Sequence, residues 1–431
     1  MSGSLRIPNW RTRILVPLVA TALAASGLGA SGWADSLLGR ALAQGGPWTR
    51  QFGTAAHDAA TGVAVGPDGN VYATGWTDGT FAGQPSNAGA RDAFLRKYSA
   101  SGALIWTRQF GTVGNDVAGD ASTDGAAVYV GGQTSGAFPG ERLVGETDAF
   151  VRKYDAGGTL LWTRQFGSTG RAAAVARVLL DGATNVYVAG WTTGALANQL
   201  SAGGSDAFVR KYDANGAELW TRQFGTPGHD QAGSMAIDGS GALFVLGQFG
   251  RPADTFIRKY AADGSEEWTR RLDTPDGEFV AAMTADVVGN IYVAGRTGGD
   301  EGRGFARKYA PDGVVLWEVE IGRPASTSPV SMITDIAVNA SGLYLAGHSG
   351  GRLPGQAAAA VGGFDIVVLK VNPDRPGVRT WTLQLASPGN DILARLAVDG
   401  AGTPFLVGWS SGALETSTNA GATDAFLARL Q

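Results

Sequence analysis

The residues of this 431-residue chain best suited to chemistry are acidic and imidazole side chains that recur at corresponding points. Asp58, Asp116, Asp230 and Asp391 form one such set. His57 and His229 stand immediately before two of them, and His348, the third and last histidine, lies further on. Carboxylates and imidazoles carry general acid–base catalysis and zinc coordination, but a zinc site needs three or four ligands converging on one point. The histidines fall in the first, fourth and sixth units of the pattern below, so convergence would have to occur on a common axis. The aspartates either make the mouth of a central channel acidic or cap the loops that bear them. Calcium is only weakly signalled, because no stretch has the dense Asp/Asn spacing of a calcium loop, and no other cofactor is expected. Gly-x-Ser-x-Gly and His-Glu-x-x-His motifs are absent, as is a recognisable Ser-His-Asp set.

A second set suits binding. Trp76, Gln133, Trp191, Gln248, Arg296, His348 and Trp409 occupy one position in seven successive units. Aromatic faces offer flat apolar area and amides offer directional hydrogen bonds, a combination that fits sugars and peptides. Packing beneath neighbouring loops is the competing use for the same side chains.

The elements that must position these residues are read from a repeat. "WTRQFG" occurs at Trp48, Trp106, Trp162 and Trp220, and degenerate copies follow at Trp268, Trp317 and Trp381. Each unit holds two hairpins. In the first, "VAV" (strand A) and "VYATGW" (strand B) flank "GPDG"; in the second, "AFLRKY" (strand C) and "LIWTRQF" (strand D) flank "SASG". Gly and Asp at the tips suit tight turns, and the β-branched and aromatic flanks suit strands. Seven units of four antiparallel strands, with no helical periodicity, predict an all-β fold, a seven-bladed β-propeller. The first "WTRQFG" precedes any A strand and "DAFLAR" near Gln431 is a C strand without a successor, so these two are expected to pair and complete the seventh blade.

The two-residue strand period puts Trp106, Arg108 and Phe110 on one blade face. A large aromatic there fills the wedge between blades. Arg96, Arg152, Arg210, Arg258 and Arg307 on strand C are placed to stack on the indoles or to pair at the rim. Asp92, Asp148, Asp206, Asp254, Asp365 and Asp424 open strand C and are expected to tie down loop backbone.

B-to-C and D-to-A connections share one face, and tight turns occupy the other. Five B-to-C connections have fourteen to sixteen residues, whereas Gln248 to Asp254 leaves five and Arg296 to Arg303 leaves six. Blades 4 and 5 should therefore leave a notch in the loop-bearing rim. Arg296 stands there where Trp is commonest, Arg303 replaces the strand C aspartate, and Arg251, Asp300 and Glu301 line the short loops. The ligand-binding candidates are thus Arg296, Arg303, Arg251, Gln248, Trp76, Trp191, His348 and Trp409.

Composition narrows the class. The formal charge of -4 is small and the Lys and Arg residues are scattered, which excludes a nucleic-acid footprint or a polybasic membrane patch. With no Cys, disulfides and thiolate metal sites are excluded. Arg6, Arg11 and Arg13 precede an apolar run from Ile14 to Ala30, and "ALA" at Ala41 has the form of a cleavage site. Residues 1–43 are expected to be a cleaved signal peptide, with 44–431 a single propeller domain, secreted or periplasmic and monomeric. An earlier cut after Ala34 is the alternative.

The order "DAFVRKYD", "WTRQFG", "DGNVYATG" and the loop pattern T-x-G-x-F-x-G resembles the SBBP repeat, the seven-bladed β-propeller repeat family of bacterial exported proteins. The resemblance runs over about residues 48–431 and is weakest in the sixth unit, where "FDIVVLKV" stands for "DAFVRKYD". It implies an exported propeller and carries no catalytic residue. "YDANGAELW" is similar to one hairpin of quinoprotein dehydrogenase repeats, but the count of seven blades argues against those enzymes. The expected role is recognition or scaffolding for a protein, peptide or glycan at the cell surface or in the periplasm. The alternative is a propeller enzyme, a metal-assisted lyase or lactonase, using Asp and His at the channel mouth.

Overall fold

The computed structural model describes residues 46–85, 88–250, 254–272, 279–297, 303–321, 331–350, 362–415 and 417–430. The expected signal peptide lies outside them, as do Arg251, Asp300 and Glu301. The described residues form seven four-stranded antiparallel sheets and no helix. In blade 1 strand A is Asp58–Val65, B Val71–Thr77, C Asp92–Tyr98 and D Leu104–Phe110, hydrogen-bonded in that order. Blades 2 to 6 repeat the order from Asp116, Ala173, Gln231, Phe279 and Ser331. In blade 7, Asp391–Val398, Pro404–Ser410 and Asp424–Arg429 are completed by Trp48–Phe52. The closing register runs from Trp48 opposite Arg429 to Phe52 opposite Ala425. The seven-bladed propeller and its three-plus-one closure are as the repeat predicts.

The phrase "WTRQF" is a grip on the next blade. In blade 1 the Trp106 indole donates to Ala156 O at 3.1 Å and Arg108 Nε to Gly158 O at 2.7 Å, both in the C-to-D turn of blade 2. Lys97 Nζ reaches the same Ala156 carbonyl at 2.9 Å. The grip recurs from Trp48 to Ala100, Trp162 to Ala214, Trp220 to Ala262 and Trp317 to Pro373. Glycine in the gripped turn is required twice over. Gly102 has φ +79° and Gly158 φ +82°, in the left-handed region, and a Cβ on Gly102 would lie 2.6 Å from the Trp48 ring.

Trp and Phe of strand D fill the wedge together, with the indoles packed against each interblade cluster. Phe110 packs edge-on against Phe150 of blade 2 at 6.1 Å, and Phe138 meets Phe150 at 5.2 Å. Trp106, Trp162 and Trp220 are half-buried and cap the turn end of each interface. The strand C arginines lie over these phenylalanines, not over the indoles. Arg96 covers Phe52 at 4.3 Å, Arg152 Phe110 at 4.6 Å, Arg210 Phe166 at 4.0 Å and Arg258 Phe224 at 4.0 Å. The indoles are covered instead by arginines two residues on, such as Arg108 over Trp106 at 5.2 Å. The contact runs between blades, from the strand C arginine to the phenylalanine that ends strand D of the preceding blade. Arg210, Arg258 and Arg307 also pair with Glu218, Glu266 and Glu318, so the rim pairing does occur.

Candidate functional site

The loop-bearing face is built on two sets of aspartates. Asp58, Asp116, Asp230 and Asp391 are fully buried. Asp58 accepts Thr54 N at 2.6 Å and its hydroxyl at 3.0 Å; Asp116 accepts the same pair from Thr112 at 2.6 and 3.0 Å. Asp230 accepts Thr226 N at 2.7 Å and Gly250 N at 3.0 Å, and Asp391 accepts Ser387 N at 2.6 Å and the Ser410 hydroxyl at 2.6 Å. These carboxylates hold the D-to-A connections, so loop capping accounts for their recurrence. Burial pushes Asp58 and Asp116 above the usual carboxylate range, with a small further push from Asp424 and Asp92 respectively.

The strand C aspartates hold the B-to-C loops through a glutamine of strand D. Gln109 donates to Asp92 at 3.0 Å while its carbonyl accepts Phe81 N at 2.9 Å. Gln165 does the same between Asp148 and Phe138, and Gln223 between Asp206 and Leu196. The loop residues Phe81, Phe138, Leu196 and Leu414 are thereby pinned into the core. Blades 4 and 5 depart from this plan. In blade 4, Phe249 at the end of strand B stacks on Phe256 at 4.0 Å and meets Phe224, taking the place of the loop plug. In blade 5 the pair is charge-swapped: Arg303 stands at the aspartate position and its Nη1 donates to Glu320, which replaces the glutamine, at 2.7 Å.

The seven residues that end strand B are all half-buried. Trp76 is covered by Arg91 at 3.6 Å, itself held by Asp78 at 2.7 Å, and Gln248 accepts from Gln231 at 3.2 Å. Trp191 and Trp409 have the same strand position in blades 3 and 7. The Arg296 side chain makes no hydrogen bond or ion pair among the described residues, while its backbone pairs with Phe279 and Gly304.

The histidines do not converge. His57 and His229 are exposed beside Thr423 and Ser205, at 3.1 and 3.4 Å, in blades 1 and 4. Among the described residues no group of three or more His, Asp or Glu side chains is placed to hold a metal ion. His348 lies edge-on to Phe364 at 5.4 Å, with its Nδ1 buried and without a hydrogen-bond partner among the described residues. Burial lowers its pKa from the ordinary value. An unfolded imidazole takes a proton near about 6.5. Between that value and the lower native one the unfolded chain binds more protons, so stability falls as pH falls. His348→Gln, a residue already used at this position in blades 2 and 4, should melt with a shallower loss between pH 7 and pH 5. Calorimetry across that range would show parallel curves if His348 did not contribute.

Sequence reasoning missed four charges on the innermost strands: Asp120, Arg177, Asp335 and Arg395. Asp120, Arg177 and Arg395 border a cavity of about 200 Å³ among the innermost strands, and Asp335 acts electrostatically on Arg395. The available signal was a charge breaking the apolar alternation of strand A, as in "VARV" and "LARLAV".

The comparisons agree with this architecture. The SBBP β-propeller repeat model matches residues 48–82 and 161–196. The chain is 30% identical over 197 residues to the regulatory protein FlaEY of Caulobacter vibrioides, a match covering 42% of this chain and only 20% of that protein. Among solved structures, the Neurospora crassa Pan2 WD40 domain superposes with a TM-score of 0.51 at 10% identity, over 88% of this chain and 95% of that one. The Pseudomonas aeruginosa periplasmic gluconolactonase PpgL gives 0.48 at 12% identity, over 82% and 99%. At such identity the Pan2 likeness is one of fold alone. The SBBP repeat model matches at two places, and the described residues form a seven-bladed propeller.

Proposed function

We propose that the protein is an exported recognition or scaffolding module whose loop-bearing face takes an anionic protein, peptide or glycan over blades 4 and 5. The observation that carries this reading is Arg296. It is a half-buried guanidinium without a partner among the described residues, at a position held elsewhere by Trp, Gln or His, beside the two shortest B-to-C connections. A guanidinium offers a fork of donors matched to carboxylate, sulfate or phosphate. Trp191 and Gln248 occupy the same position in blades 3 and 4 and would supply the apolar face and the amide around the charged contact. Arg303 has a different part, since its bond to Glu320 holds the short loop.

The test is an array of acidic peptides and of sulfated and uronic glycans, followed by titration of the captured ligand. Arg296→Ala should weaken binding about tenfold or more without moving the melting temperature, in line with the loss of a charge-assisted hydrogen bond. Arg303→Ala should instead lower the melting temperature. Failure to capture any anionic ligand, or affinity unchanged by Arg296→Ala, would overturn the reading.

A further inference from the structure

The seven A strands line the axis, and each carries a bulge at the same place, marked by a register shift such as that between Ala118 and Asp120 or between Leu393 and Arg395. A bulge re-aims the side chain that follows it. The residues that follow are Gly62, Asp120, Arg177, Ser234, Ala282, Asp335 and Arg395. Acid and base stand on neighbouring blades twice, in blades 2 and 3 and again in blades 6 and 7, while the small residues between leave room.

The acids are largely spent on backbone. Asp335 accepts Ile336 N at 3.0 Å and Leu396 N at 2.8 Å, and Asp120 accepts Val178 N at 3.1 Å. The bases are not. Arg177 Nε lies 3.7 Å from Asp120 Oδ2, beyond hydrogen-bond length. Arg395 makes one bond, from Nη1 to Ala394 O at 3.0 Å, and its Nε is buried with no acceptor. Each guanidinium carries five N–H donors, yet among the described residues the two side chains together make a single hydrogen bond, from Arg395 Nη1 to Ala394 O. Burial lowers the pKa of Arg395 and the charge of Arg177 adds to the effect, with Asp335 and Asp120 offsetting it in part, so a negative charge beside Arg395 would relieve the remaining cost.

We propose that this cavity binds a small oxyanion between Arg177 and Arg395. Its volume of about 200 Å³ is several times the roughly 30 Å³ share of a water molecule, enough for a phosphate, a sulfate or a short carboxylate. The wall includes Val65, Thr123 and Leu179, which lie from the bulge towards the A-to-B turns. The site is therefore on the opposite half of the axis from the strand B ring, and it is independent of any ligand on the loop-bearing face.

Inorganic phosphate, sulfate and acetate are the probes, compared with chloride at equal ionic strength. At least one oxyanion should raise the melting temperature, and calorimetric titration should give a saturable isotherm. Arg177→Lys keeps the charge and loses the fork, so the chain should fold and bind about tenfold more weakly. Arg395→Met with Asp335→Asn removes a neutral pair and should abolish the titration; phosphorus NMR line widths read the same loss without reference to stability. If no oxyanion exceeds chloride, or if Arg177→Lys binds as the parent does, the charges are a structural network around water and the proposal fails.

Discussion

Deleting residues 46–53 is expected to abolish the cooperative melt and drive the protein into aggregates. The deletion removes Trp48–Phe52, which contributes five register pairs to the seventh blade. It also removes the grip on blade 1, in which the Trp48 indole and Arg50 Nε bond Ala100 O and Gly102 O at 3.1 and 2.8 Å. Gln51 would no longer bond Gly412 O or receive Leu414 N, each at 2.8 Å, and Phe52 would leave Phe81 and Phe94. What remains is Asp424–Arg429 as a bare edge carrying apolar side chains, the configuration that templates pairing between chains. Scanning calorimetry and size-exclusion chromatography give the answer. A monomer melting at the parent temperature would mean that the closing strand contributes nothing.

Phe150→Ala should be the most damaging single substitution considered, at about 3 to 5 kcal/mol. Phe150 is fully buried between Phe110 of the preceding blade and Phe138 of its own loop. The Arg152 guanidinium rests on Phe110 and Phe138, at 4.6 and 4.4 Å, so a cavity here would loosen a buried charge as well. Phe150→Leu, which keeps most of the volume, should lose much less. Urea unfolding monitored by tryptophan fluorescence separates the two; equal losses would place the cost in the ring contacts rather than in the volume.

The blades, their order and their closure were legible because the pattern is written repeatedly, and turn glycines and strand residues agree in most copies. The aspartates were legible as loop ties for the same reason. The strand C arginines were read onto the wrong rings, because spacing gives the face of a strand but not which of two aromatics on that face lies level with the neighbour. The shortness of the connections in blades 4 and 5 was legible as a length, but the charge swap at Arg303 and Glu320 was not, since it joins residues seventeen apart whose pairing depends on strand register. The axial charges were invisible for a deeper reason. Asp120, Arg177, Asp335 and Arg395 share a height only through the bulges, and a bulge changes register by one residue without leaving a motif.

The interblade grip has a direction. The D strands of blades 1 to 5 and 7 hold the C-to-D turn of the blade that follows, so a blade offers a donor side and a different acceptor side, as subunits do in a head-to-tail ring; blade 7, whose C and D strands come from opposite ends of the chain, has no such turn. Two identical faces never meet, and a blade cannot pair with itself. A fragment of the ring would therefore present complementary ends, and fragments would add in series rather than dimerise face to face.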